Sequence, residues 1–513
     1  MRTRGRGLTI AAVVATAGAV MFAQGRGGQN WNTFSADAQR TGWLRTETRI
    51  SAATLQQLKP GGFQLLWKVK PESEPRQLVT LTQPIMLGNL ISHKGFKALA
   101  FVGASSDIVY AYDYDLAKVY WSQRLSTGTG QKGTASCPSA LTAITRPTPL
   151  NQSAVPARGG TPTIGPPGGG RGPQTGINPA NLPITNAVWV ISSGGMVHAL
   201  NPHIGTDLRP PARIVPSGAK VLGSVLVDNV LYAATSDACG GAPNGVWALD
   251  VSGDGASTTA KSWNSGGPSI AGSAGPTLGL NGVVYVATGS GNGSYANTVV
   301  ALDPKTLQPT AWYTGEAPFT TTPTAFNFDG RDLVAATARD GRLYVLDGKS
   351  PGGADHHGAL ARSAVYASGE GSSGAVTTWQ DSDGVRWLLV ASPTAVVAFR
   401  LAEHGGALTL EQGWTSRDLT TPATPIVLND VVFGLSTGAQ RGGDPQLSAA
   451  QRLQRSTPAV LYAFDAKSGK ELWNSGSTIA TSVQGVGPSG QDGQVYVVGA
   501  DGTLYAFGIP LEH

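Results

Sequence analysis

Apolar residues along this chain come in short runs, each closed by a polar or small residue. In order they are Val109-Tyr-Ala-Tyr-Asp113, Val197-His-Ala-Leu-Asn201, Val246-Trp-Ala-Leu-Asp250, Val299-Val-Ala-Leu-Asp303, Leu343-Tyr-Val-Leu-Asp347, Val396-Val-Ala-Phe-Arg400, Leu461-Tyr-Ala-Phe-Asp465 and Leu504-Tyr-Ala-Phe-Gly508. Runs this short and this rich in β-branched and aromatic residues read as buried strands. Their last residues lie 88, 49, 53, 44, 53, 65 and 43 apart, so the period without the long gaps is about 48. An earlier apolar run precedes each copy, as in Asn281-Gly-Val-Val-Tyr-Val-Ala-Thr288, Asp430-Val-Val-Phe-Gly-Leu435 and Gly493-Gln-Val-Tyr-Val-Val498. Asn281-Gly282, Asp340-Gly341 and Asp501-Gly502 supply hairpin turns that need positive φ. A further strand follows each copy, carrying Trp121, Trp263, Trp312, Trp414 or Trp473.

Four strands per unit at this period make a propeller blade, and eight copies predict an all-β, eight-bladed β-propeller. The eighth copy has no tryptophan strand between Phe507 and His513. Phe63-Gln-Leu-Leu-Trp67-Lys-Val-Lys70 is a spare strand of that kind, expected to complete blade eight and close the ring. The expected organisation is a leader at 1–23, an entry segment at 24–62 and the propeller at 63–513. Insertions fall at 147–183, a Gly/Pro-rich loop of blade two, and at 438–458, where Ser448–Arg455 suits a short helical turn.

Composition supports this architecture. Gly (69) and Pro (33) make up about a fifth of the 513 residues against an ordinary share of about 12%, and charged residues are only 13%. A helical bundle is excluded, and 41% hydrophobic residues exclude disorder. Arg2, Arg4 and Arg6 before the apolar run Leu8–Phe22, with Ala23 at a cleavage point, read as a secretory signal peptide, with an uncleaved anchor as the alternative. The expected location is therefore periplasmic or secreted, with no membrane span after cleavage. Those three arginines account for most of the net charge of +5; without them it is +2, which gives no electrostatic case for nucleic-acid binding. Cys137 and Cys239, the two cysteines, form one disulfide or remain two buried thiols.

The blade pattern resembles the quinoprotein (PQQ-dependent) alcohol dehydrogenase-like propellers. Ala463-Phe-Asp-Ala-Lys-Ser-Gly-Lys-Glu-Leu-Trp473 has the form of that family's tryptophan-docking repeat, Trp31–Asp37 resembles its entry segment, and Thr288-Gly-Ser-Gly-Asn292-Gly-Ser294 looks like its T-G-N-G-S segment. The resemblance covers residues 31–508. It implies PQQ held over a Ca²⁺ by hard oxygen ligands, with a carboxylate taking the alcohol proton. On it, Asn292 and Asp237 are the candidate Ca²⁺ ligands, Asn292 and Lys349 the cofactor-binding residues, and Glu316 the weak candidate base. The departures are specific. No Glu stands in Asp237–Asn244, Glu316 is the only acid of the segment after Trp312, Gly348 occupies the position of the family's Arg, and a vicinal Cys-Cys pair is absent.

Other motifs lack their context. Gly128–Gly133 spells G-x-G-x-x-G with no helix after it, and Gly434–Gly438 spells G-x-S-x-G at a strand end. Asp355-His356-His357 reads as a polar hairpin loop, and no C-x-x-C-H haem site is present. Trp189, Trp247, Trp379 and Trp387 read as strand core. Two functions remain, and the departures favour the first. One is a monomeric, non-catalytic propeller that binds a protein, glycan or small-molecule ligand, a subunit of an envelope assembly being one form of it. The other is a divergent PQQ- and Ca-dependent alcohol or polyol dehydrogenase. An axis lined by Thr, Ser and Gly points to the binder, and carboxylates gathered around Asn292 point to the enzyme.

Overall fold

A computed structural model describes residues 30–72, 81–92, 95–125, 137, 142–150, 186–253, 259–368, 373–440, 447–485 and 487–510. The leader at 1–23 and most of the 147–183 insertion lie outside the described residues. Seven four-stranded sheets and one five-stranded sheet form the eight blades, each built on four antiparallel strands. The third strand of each is one of the eight repeated runs, from Ile108–Asp113 in blade one to Leu504–Gly508 in blade eight. The innermost strands are Ile85–Ser92, Ala143–Thr145, Lys220–Val227, Thr277–Leu278, Thr324–Phe328, Thr377–Gln380, Ile426–Leu428 and Ser489–Gln491. They face one another around the axis, and blade eight meets blade one there. Gln64–Val69 pairs antiparallel with Leu504–Gly508 as the outermost strand of blade eight, so the N-terminal part of the chain closes the ring.

Each blade has two ends. Innermost strands begin at the entry face, which also carries the turns from second to third strands. The opposite, return face carries the turns from first to second and from third to fourth strands. Apolar side chains fill the spaces between neighbouring blades, as in the cluster of Val225, Val246, Val286 and Val300 between blades three and four. The 438–458 insertion stands on the entry face and holds the helix Ala449–Arg455, started by a reciprocal capping box between Ser448 and Gln451.

The outer tryptophans lock blade to blade through one device. Trp121, Trp414 and Trp67 donate their indole N–H to the carbonyls of Pro202 (2.8 Å), Ala466 (3.0 Å) and Tyr114 (3.1 Å), each in the return-face turn of the next blade. The Asp of the repeat builds that turn. Asp465 Oδ1 accepts from the amides of Lys467 and Ser468, and Asp303 and Asp347 act in the same way. The repeat's glycine then lies flat on the indole: a Cβ on Gly469 would meet Trp414 at 2.7 Å, and one on Gly205 would meet Trp121 at 2.5 Å. Blade five varies the device. His356, at φ 63°, stacks on Trp312 with ring centroids 3.8 Å apart, while His357 Nδ1 lies 2.9 Å from the Thr314 carbonyl. The Asp355–His357 loop is thus a docking surface between blades four and five. Trp189, Trp379 and Trp387 are buried in the blades, and Trp247 is partly exposed.

Candidate functional site

The axis of a propeller is the natural place for a ligand. Here the protein's own chain fills it. Trp31–Leu44 runs once around the axis and bonds to all eight blades in ring order. The Trp31 amide donates to Gln491 Oε1 of blade eight, and the Trp31 carbonyl accepts from Met86 of blade one. Asn32 O accepts from Arg146 just past the innermost strand of blade two, and Thr33 Oγ1 donates to Ser224 O of blade three. The carbonyls of Ala38, Gln39, Thr41 and Gly42 accept from Leu278, Ala325, Thr378 and Val427 in blades four to seven. Trp43–Leu44 then adds a parallel strand to Ile426–Leu428.

Polar side chains pin this path. Arg40 is fully buried. Its Nε and Nη2 donate to Pro276 O at 3.1 and 2.8 Å, Nη2 also reaches Ser224 O, and Nη1 donates to Thr33 Oγ1 and Phe34 O. Burial pushes the Arg40 guanidinium down to about 9, against the pull of the Asp37 charge. Asp37 accepts from the Thr41 amide and hydroxyl, and Gln39 Nε2 donates to Leu278 O. Ser35, Ala36 and Arg40 hold positive φ, a costly conformation that persists where the surroundings fix it.

Towards the entry face the axis is narrowed by the segments that lead into the innermost strands. Ser273 N donates to Ser373 O, linking the approach to blade four with that to blade six, and Thr322 N donates to Gly374 O. Gln83 Nε2 donates to the carbonyls of Gly487 and Pro488. The fit is close: a Cβ on Gly272 would meet Thr322 N at 2.0 Å and one on Gly374 would meet Thr424 Oγ1 at 1.7 Å. Ser, Thr, Gly, Gln and backbone line this end.

The sequence-derived site residues divide between the two faces. Asp237, in the blade-three turn, Asn292, in the blade-four turn, and Glu316, beyond the outer strand of blade four, share the entry face. Their loops touch: Ser269 Oγ donates to Asp237 Oδ1, Gly289 N to Ser269 O, and Gly315 N to Asn297 O. Lys349 is separated from them. It is exposed on the return face, its amide committed to the Asp347 turn. The grouping of Lys349 with Asn292 fails because the third strand of blade five carries the chain across the ring before reaching it. Asp237 pairs with Lys220 Nζ at 2.5 Å, and Asn292 and Glu316 are exposed. Cys239, two residues after Asp237, is bonded to Cys137, with Cα atoms 5.5 Å apart. This disulfide ties the blade-one-to-two connection to the turn of blade three.

Calcium-bound PQQ needs hard oxygen donors converging on one point and room for a flat tricyclic ring. The residues present do not fit it. Among the described residues no three His, Cys, Asp or Glu side chains gather as a metal set. Asp237, the candidate carboxylate ligand, faces the Lys220 ammonium, and the axial space belongs to Trp31–Leu44. Sequence reasoning missed this segment's course because it has no repeat. Its signal is the density of buried polar residues, Thr33, Asp37, Gln39, Arg40 and Thr41, on a stretch with no strand pattern.

Residues 411–509 match the family described as outer membrane protein assembly factor BamB. No curated protein matches the chain. Among solved structures, the quinohemoprotein alcohol dehydrogenase of Comamonas testosteroni superposes with a TM-score of 0.54 at 13% identity, over 94% of this chain and 81% of that one. A europium-containing methanol dehydrogenase gives 0.56 at 11%, over 94% and 98%. Saccharomyces cerevisiae Sqt1 gives 0.51 at 11%, over 87% and 99%. At these identities the likeness reaches the fold alone.

Proposed function

We propose that this chain, a PQQ-like β-propeller by its repeat and fold, is a non-catalytic binding or scaffold module exported from the cytoplasm. The observation that carries this reading is the filled axis. A segment bonded to all eight blades occupies the space in which a ligand would sit on the ring axis, and among the described residues no three His, Cys, Asp or Glu side chains gather as a metal set. Rigid blades with variable loops at both ends suit a surface for a protein or glycan partner. The basic and apolar stretch at 1–23 supports export, and no helix among the described residues is long and apolar enough to cross a membrane.

Calorimetric titration of PQQ into the purified chain with Ca²⁺ present tests this function. The expected result is no saturable heat, no quinone absorbance carried by the protein and no alcohol-dependent reduction of an electron-accepting dye. Stoichiometric binding at micromolar affinity or better, followed by dye reduction, would replace the reading with a dehydrogenase.

A further inference from the structure

We propose that the return face holds a small-oxyanion site of phosphate chemistry between blades five and six, built on Arg386 with Arg45 as the second cation. Arg386 opens the second strand of blade six, Arg386–Ala391, and only 3% of its surface is exposed. Its Nη2 donates to Asn327 O at 3.1 Å and lies 3.5 Å from Gln380 Oε1. Its Nε and Nη1 are buried with no hydrogen-bond partner. Buried N–H groups in folded proteins almost always have a partner, and a buried guanidinium facing no anion is costly. The nearby carboxylates are turned elsewhere. Asp381 accepts from Trp387 Nε1 and from the amides of Asp383 and Val385, and Asp332 accepts from Asn327 Nδ2.

Arg45 increases the positive charge. It leaves the strand Trp43–Leu44 on the same face, its guanidinium 4.3 Å above the Trp43 ring. Burial and the like charge of Arg45 together push Arg386 down to about 9. A water molecule would satisfy an N–H but leave the charge unmatched, whereas a dianionic oxyanion answers both. The Phe326 ring lies 5.8 Å from the Arg386 guanidinium. This site lies at the opposite end of the blades from Asn292 and does not depend on whether the propeller is catalytic.

Titration of inorganic phosphate into the full chain, at ionic strength matched with chloride, tests the site by calorimetry and thermal unfolding. The expected result is one saturable site and a Tm raised by about 2–3 °C at a hundredfold excess over Kd. Arg386→Gln is expected to weaken binding at least tenfold, and in chloride alone its Tm should not fall below that of the parent. Arg45→Gln, on a half-buried side chain, is expected to weaken binding about tenfold and serves if Arg386→Gln does not fold. Phenyl phosphate separates the sources: exclusion of the ester identifies free phosphate, and equal binding identifies the phosphate group of a larger ligand. No saturable binding by the parent, or equal binding by both variants, would overturn the proposal.

Discussion

Arg40→Ala is expected to destabilise the protein by about 3–5 kcal/mol, measured by urea unfolding. The guanidinium donates to the buried carbonyls of Pro276 and Ser224 and to Thr33 Oγ1, and to the part-buried carbonyl of Phe34. Alanine takes the donor from Pro276 O and Phe34 O, at about 1–3 kcal/mol for each buried group left without a partner, and removes one of the two guanidinium charges, with Arg45, that act on Asp37. Arg40→Lys keeps the charge but has one nitrogen where three are used. It is expected to recover less than half of the loss. If Arg40→Ala falls within about 0.5 kcal/mol of the parent, as surface substitutions do, the axial path of Trp31–Leu44 is wrong.

Trp414→Ala is expected to cost about 3–5 kcal/mol, the range for removing a buried aromatic ring. Only 8% of Trp414 is exposed; it joins blades six and seven by its bond to Ala466 O and by its contact with Gly469. Trp414→Phe keeps most of the packing and loses the bond, so about 1 kcal/mol is expected. Gly469→Ala tests the other partner. Gly469 has φ +73°, and the added Cβ would sit 2.7 Å from the indole, so about 1–3 kcal/mol is expected. Thermal unfolding followed by circular dichroism ranks the series. Equal effects of Trp414→Phe and Trp414→Ala would mean that the bond, not the ring, holds the blades together.

The blades were legible because a repeat multiplies a weak signal. One run such as Val299–Asp303 is ambiguous, but eight at a near-constant period fix the strand, the turn after it and the docking tryptophan. Ring closure by Gln64–Val69 followed from counting tryptophan strands against third strands. The candidate site was less legible, since function there depends on which loops share a face. Asp237 and Asn292 came together because each lies in the turn between the second and third strands of its blade, and Glu316 joins them two strands later, where the chain returns to the same face. Lys349 did not, because it follows one more strand. The pairing of Asp237 with Lys220 joins two positions whose spacing carries no pattern. His356 taking the glycine's place over Trp312 depends on a positive φ that the sequence does not announce. The course of Trp31–Leu44 is set by one or a few hydrogen bonds to each of eight distant blades, a one-off arrangement with no period to detect.

Hydrogen exchange of the native protein, read by mass spectrometry on peptides covering residues 31–44, tests the filled axis most directly. If this segment is bonded into the ring, its amides exchange as slowly as those of the innermost strands Ile426–Leu428 and Ser489–Gln491 and open only with global unfolding. Exchange within seconds, at the rate of an exposed loop, would mean that the axis is open to ligands and would contradict the account.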